Sequence, residues 1–343
     1  MRDDALMQRS AAMRKNLLLQ NMKKDILLPV LRFNNPENVR RLSDGERAKS
    51  MNSLHEIKMQ SRFDSFVKMY GCIAEAIIAA GGNKGERAVR EAVIRYGREK
   101  GEILRQAVLE SGKSANLRTM LYQEQCCGED PRFFRKTIKD TEEVQMFEVY
   151  SCPMEYIWRK NGWSRAGSIY CEEYIHALIK AYTQGKGQAN LSNHMTCDRD
   201  FFCRFSLYLR PANLDELQKK ECFEGTPAEE QRLKGRDTEK ERKKESENFL
   251  CLYHHLYWGA KEYLGLDGMS AVSKGLDKLY TDLKDALRKK AEHTGEEVSA
   301  EFLEKYFPLP LQIADEENNK EEDQLLEIHL TRRLFRELAQ KKN

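Results

Sequence analysis

Between Pro131 and Arg210 the hydrophobic rhythm of this chain changes, and that change limits what it can fold into. Upstream, apolar residues recur at helical spacing. Phe66, Met69, Tyr70, Ile73, Ile77 and Ile78 fall on one stripe. Gly81-Gly82-Asn83 then supplies residues that tolerate a left-handed cap. A second long helix is expected from about Lys84 to Glu110, with Val89, Val93, Tyr96, Ile103, Leu104 and Ala107 on its apolar side. Gly97 and Gly101 share a face of it and suit close approach of another backbone, or of a ligand. After Pro131 the period shortens. "FFRKTI" and "VQMFEVYSC" alternate aromatic and β-branched residues with polar ones, which predicts strands. Pro153 suits the first turn of a short helix with Cys152 just outside it. "NGW" reads as a turn, and a longer helix follows from Ser168 to about Tyr182. "QANLSNHMT" and "FFCRFSLYLR" read as two more strands. The expected fold class is helix-rich α+β. A small antiparallel sheet of four to five strands sits in a central β-β-α-α-β-β unit, flanked by long helical hairpins.

Four segments follow from these shifts. Residues 1–60 form a helical arm with a break near Pro36, suited to packing on the body or exchanging with a second subunit. Residues 61–211 form the α+β domain, 212–247 a charged helix or linker, and 248–343 a C-terminal helical region. Between Glu229 and Glu247 fourteen of nineteen residues are charged, seven of each sign, as in a solvated helix with many i,i+4 pairs. The C-terminal region echoes the first hairpin. A shift of 183 positions places Phe66, Tyr70, Gly85, Ala88, Val89 and Leu104 on Phe249, Tyr253, Gly268, Ala271, Val272 and Leu287. Any two amphipathic hairpins match about this well, so coincidence is the reading favoured over duplication.

Composition narrows the function. The 343 residues carry 58 Lys and Arg against 55 Asp and Glu. That balance gives no nucleic-acid footprint. No apolar run approaches the roughly 18 residues a membrane span needs, and no secretory leader is evident. Nine cysteines without such a leader suggest reduced thiols and a cytoplasmic protein. P-loop, GxGxxG, GxSxG and HExxH patterns are absent. No cofactor is therefore expected, with a metal left open. The best metal pair is Glu172 with His176 on one helix face, a weak pattern beside known zinc spacings.

The residues able to carry chemistry concentrate in the central unit. Cys152 precedes a helix start, where the dipole favours thiolate. Cys171 lies in the next helix beside Glu172, and Cys203 in a strand beside Arg204. Each has packing as its plainer role. His194 suits an acid or base, since the unperturbed imidazole pKa is near neutrality. Asp198 and Asp200 suit orienting it or holding a cationic substrate. Arg204 suits two-pronged recognition of a carboxylate. Trp158 and Tyr170 suit a pocket wall or the core.

"YSCPMEYIW", "GWSRAGSIYCEEY" and "DFFCRF", with the preceding "AVREAVIRYGREKGEILRQ", resemble the 2-amino-thiazoline-4-carboxylate hydrolase family over about Phe66 to Leu209. By position the resemblance carries over to Cys152, Trp158, Cys171, Glu172, Cys203 and Phe205. It implies a hydrolase of a small cyclic carbon–nitrogen substrate, opening a thiazoline-type ring without a nucleotide. The catalytic candidates are then Cys203, Cys171, His194, Asp198 and Glu172. Trp158, Tyr170, Arg204 and Cys152 are the candidates for substrate binding. The arrangement is also similar to small ligand-binding domains related to vinyl reductases, which implies a non-catalytic binder or sensor as the alternative. The expected partner is a small molecule, with neither nucleic acid nor membrane, and a homodimer through the terminal helices is a further expectation. Convergent Asp, His and Arg in the pocket would favour an enzyme, and an aromatic and aliphatic lining a binder.

Overall fold

The structure, a computed structural model, describes residues 44–123, 130–196, 200–227, 238–313 and 320–339. The chain divides into two compact units, Met1–Ile57 with Leu287–Glu297, and Lys58–Ala286 with Val298–Asn343. The first contains, among described residues, the start of one helix and the end of another. Most of the N-terminal arm lies outside the described residues. Apart from those helix ends, the features below belong to the second unit.

Two long helices open it, α1 (Asp44–Gly81) and α2 (Asn83–Glu110). A short α3 (Leu117–Gln123) leads to the hairpin β1 (Phe134–Asp140) and β2 (Val144–Ser151). Helices α4 (Pro153–Lys160) and α5 (Ser164–Tyr182) follow, then β3 (Gly187–Ser192) and β4 (Cys203–Leu209). The expected β-β-α-α-β-β order is the order found. The four strands pair antiparallel in the order β1-β2-β4-β3. Phe147 pairs with Phe205 and stacks on it at 5.1 Å, and Val149 pairs with Cys203. These residues share a face with buried Leu207 and Leu209. α5 starts four residues earlier than its pattern indicated. Gly162 takes a positive φ of 77° and ends α4 abruptly, so the next helix begins at Ser164.

The helical core forms where α5 lies along α2. A Cβ on Gly97 would sit 2.8 Å from the Tyr174 carbonyl oxygen, and one on Gly101 would strike that of Leu178. The two glycines admit the neighbouring backbone, as their spacing suggested. An aromatic cluster fills the adjoining space. Tyr70 lies 5.5 Å from Trp158 and 5.0 Å from Tyr170, and Tyr174 stacks on Tyr96 at 5.4 Å. The buried polar tips are met. Trp158 donates to the Val67 carbonyl at 3.1 Å and Tyr70 to the Ala166 carbonyl at 2.6 Å.

The rest of the unit is helical. A capped α6 (Glu216–Phe223) is followed by α7 (Thr238–Leu264), α8 (Leu266–Thr294) and α9 (Ala300–Tyr306). The charged stretch is thus helical from Thr238 onward. The last segment alternates α and π turns: α10 (Glu321–Leu326), a π turn (Glu327–Thr331), α11 (Arg332–Leu334) and a second π turn (Phe335–Ala339). No helix among the described residues is long and apolar enough to cross a membrane.

The echo between the two hairpins is geometric, and the expectation of coincidence is corrected. Gly82 and Gly265, at corresponding places between paired helices, have φ of 54° and 60°. A Cβ on Gly85 would strike the Ile77 carbonyl oxygen, and one on Gly268 that of Ala260, again at corresponding places. Tyr253, the counterpart of Tyr70, donates to the Glu322 carbonyl at 2.7 Å in the first turn of α10, as Tyr70 does in the first turn of α5. From there the buried positions match. Ala166, Tyr170, Tyr174, Leu178 and Tyr182 correspond to Glu322, Leu326, Leu330, Leu334 and Leu338. The α7–α8 hairpin and the last segment therefore repeat the arrangement of α1, α2 and α5, with no strand among the described residues between their second and third members. The two hairpins share packing geometry at positions where their side chains differ, and a sequence offset alone registers only the identities.

Trp158 has no exposed surface and contacts Tyr70 and Tyr170. Trp158→Ala is expected to destabilise the fold by about 3–5 kcal/mol, read from a urea midpoint at unchanged slope. A loss under about 1 kcal/mol would remove Trp158 from the core.

Candidate functional site

A cleft of about 320 Å³ opens where α2, α5 and the loop after β3 meet. Glu86 and Arg90 line it from α2. Ser164, Arg165, Ser168, Ile169 and Glu172 line it from the start of α5, and Thr196 from the loop. Spacing explains the helical contributions. Glu86 and Arg90, and likewise Ser168 and Glu172, are four residues apart and therefore share a face.

Arg90 is the hub. Its guanidinium donates to Glu173 at 2.6 Å, to Glu172 at 3.0 Å and to Glu86 at 3.1 Å. Desolvation works against its charge, but these hydrogen bonds outweigh it and hold its pKa above the ordinary value. Arg165 reaches Glu86 from the rim through its Nε at 3.1 Å. That hydrogen bond lowers the Glu86 pKa, with burial opposing it and Arg90 adding to it. Ser168 donates to Glu172 Oε1 at 3.0 Å.

The same Glu172 oxygen lies 3.8 Å from Nδ1 of His194, too far for a hydrogen bond but near enough to set the ring's electrostatics. His194 is buried, with only 5% of its surface exposed. Its other nitrogen, Nε2, lies 2.6 Å from Oγ1 of Thr196. A carboxylate near Nδ1 favours a proton there, which leaves Nε2 to accept from the threonine hydroxyl. Local backbone geometry makes this possible. Asn193 takes a positive φ of 57°, turning the chain out of β3. The His194 N–H then donates to the Asp200 carboxylate at 2.9 Å, and the Met195 N–H to the Cys203 sulfur at 3.4 Å.

The structure thus brings Glu172 and His194 together and adds Thr196, Ser168, Arg90, Arg165 and Glu86, which the sequence reading did not single out. Two i,i+4 polar pairs, one on each helix, were the available signal. Asp198 lies outside the described residues. Asp200 holds the main chain of His194. His176 turns Nδ1 toward the Glu172 main-chain oxygen, while the Glu172 carboxylate faces Arg90, Ser168 and His194. Trp158 and Tyr170 sit in the aromatic core. Arg204 stands on the opposite face of β4 from Cys203, donates to Glu148 at 3.0 Å and stacks over Phe202.

Cys203 is buried at the start of β4, and Cys171 lies near the buried Tyr70 hydroxyl. Neither is among the residues lining the cleft. Cys152 is the N-cap of α4, as expected, but its thiol is not activated. Burial pushes it up to about 12, although the Met154 and Glu155 amides pull the other way. Desolvation outweighs the helix end here. At pH 8 an ordinary thiol near 8.5 is partly ionised, whereas one at about 12 stays protonated. Native Cys152 is therefore expected to react with iodoacetamide far more slowly than in the urea-unfolded chain, as followed by peptide mass spectrometry. Equal rates in the two states would contradict this burial.

No curated protein and no solved structure matches the chain. The segment that builds the helical core, most of the sheet and the cleft does find a family. Residues 62–201 match the family model of L-2-amino-thiazoline-4-carboxylic acid hydrolase, the family that the sequence motifs resemble.

Proposed function

We propose that the cleft hydrolyses a small cyclic carbon–nitrogen substrate bearing a carboxylate, of the 2-amino-thiazoline-4-carboxylate type. The family match of residues 62–201 points to hydrolase-type chemistry. The observation that carries the reading is buried His194, which lies behind the cleft near the Glu172 carboxylate and the Thr196 hydroxyl, two groups that do line it.

The roles follow from position. Arg165, on the rim and more than half exposed, meets the substrate carboxylate. Glu172, fixed by Arg90 and Ser168, favours the proton on Nδ1 and steadies the positive charge that His194 acquires. A water in the cleft adds its oxygen to the amidine-type carbon. Its proton passes through the Thr196 hydroxyl to Nε2 of His194. The ring bond to nitrogen or sulfur then breaks, and His194 returns the proton to the departing atom. Cys203 is buried, and neither it nor Cys171 lines the cleft, which favours water over a thiol as the nucleophile. The convergence of Glu86, Arg90, Arg165 and Glu172 on the cleft favours catalysis over the non-catalytic binder.

The test is turnover of 2-amino-thiazoline-4-carboxylate and related cyclic amidines, followed by mass. His194→Gln and Thr196→Val are each expected to lower kcat by about 10²- to 10⁴-fold with the fold intact by circular dichroism. Arg165→Ala is expected to raise KM and leave kcat nearly unchanged. Cys203→Ser is expected to keep most of the activity. Unchanged kcat in His194→Gln, or its abolition in Cys203→Ser, would overturn the assignment of the base.

A further inference from the structure

A second cluster lies on the other side of α2. Glu99 projects from α2, and Cys251 and His255 from α7. A carboxylate oxygen, the sulfur and a ring nitrogen of the three lie within 4.8 Å of one another. His255 Nε2 and Glu99 Oε2 are 2.8 Å apart. Cys251 and His255 are four residues apart on one helix and so share a face. The helices are held together there independently of the cluster. Gly259 of α7 approaches the Ala88 carbonyl, where a Cβ would sit 2.8 Å away, and Arg95 pairs with Glu262 at 2.8 Å. Glu99 lies about 14 Å along α2 from Arg90 and on the opposite side of the helix, so the cluster is separate from the cleft.

We propose that Glu99, Cys251 and His255 form a three-ligand site for a zinc-class divalent ion that ties α2 to α7, with water as the fourth ligand. Bonds of about 2.0–2.3 Å at tetrahedral angles place ligand atoms about 3.3–3.8 Å apart, a spacing these groups reach with small rotations. A thiolate and a carboxylate balance the charge of the ion, and the imidazole completes a mixed S, N, O set. Such a set selects zinc or cobalt over magnesium or calcium. Glu99 is half-exposed, which leaves the remaining position open to solvent.

The internal repeat supplies a comparison within the same chain. The counterparts of Glu99, Cys251 and His255 are Asp282, Lys68 and Cys72. There Cys72 lies 3.9 Å from the Asp282 carboxylate, Lys278 donates to that carboxylate, and Lys68 acts electrostatically on the same thiol. One lobe thus places a lysine ammonium in its cluster. The other replaces that lysine with a soft donor, Cys251. Its nearby cation, Lys100, donates to Asn248 at 2.6 Å, beside the cluster.

The experiment strips the full chain with chelator and then adds cobalt(II) or zinc(II) alone. Cobalt is expected to bind as a single ion per chain and give the near-ultraviolet thiolate-to-cobalt band. Zinc should displace it and raise Tm. Cys251→Ser should abolish the band. Glu99→Gln, a change at an exposed position, and His255→Ala should each weaken zinc binding by about 10- to 100-fold or more. Hydrolysis is not needed for the readout, so failure of the cleft assignment leaves it interpretable. Absence of the band in the unmodified chain, or its full retention in Cys251→Ser, would overturn the proposal.

Discussion

The close seam between α2 and α5 is the constraint on which the rest of the structure depends. Gly97 and Gly101 let the α5 backbone approach α2 closely, and that approach sets the register of every other side chain along both helices. One end of the seam buries Tyr182, and the other brings Arg90 against Glu172 and Glu173. A cation and two carboxylates on facing helices need such a fixed distance, since a charge-assisted hydrogen bond fades within an ångström of its optimum. The sheet then adds what helices alone lack. β3 ends beside α5, and the turn at Asn193 hands His194 back to Glu172.

The repeat shows which parts of that arrangement serve packing and which serve chemistry. Both copies keep the glycine bend, the glycine against a carbonyl oxygen, and the tyrosine that ties the first helix to the third. At the places of Glu86, Arg90, Ser168 and Glu172 the second copy has Met269, Ser273, Gln324 and Ile328. Among the described residues the second copy therefore retains the scaffold without the charged hub. Two like lobes in one chain also bury helical faces against each other, as Gly275 against Ile73 shows, where a Cβ would lie 2.7 Å from the Ile73 Cα.

Burial and exposure divide the titratable groups in the same way. Cys152 stands at a helix start, where an exposed thiol would be acidified. The surrounding protein removes water from it, and loss of hydration outweighs a partial charge at the helix end. Arg90 shows the opposite balance, because its partners are full charges within hydrogen-bond distance and together overcome its desolvation. Proximity to a helix end is legible in a sequence, and depth is not.

Local patterns in the sequence determined the helical stripes, the change to period two after Pro131, the glycine pair on α2 and the motifs that resemble the hydrolase family. Each is a property of neighbouring residues, governed by side-chain period and backbone freedom. Within the candidate site, Glu172 and His194 were legible as residue types suited to acid–base work. Their union was not, because they come from different elements, and their partners Arg90, Arg165 and Thr196 read as ordinary surface residues along the chain. Trp158 and Tyr170 carried the same signal for a pocket wall as for a core, and only packing against Tyr70 placed them inside. The repeat showed in the sequence only as a few coincident residues, too few to separate it from chance, because packing constrains shape and backbone conformation more strongly than identity. Tertiary structure decided depth, the pairing of distant charges and the meeting of Glu99 with Cys251 and His255. These depend on distances between helices, and a linear order of residues does not contain those distances.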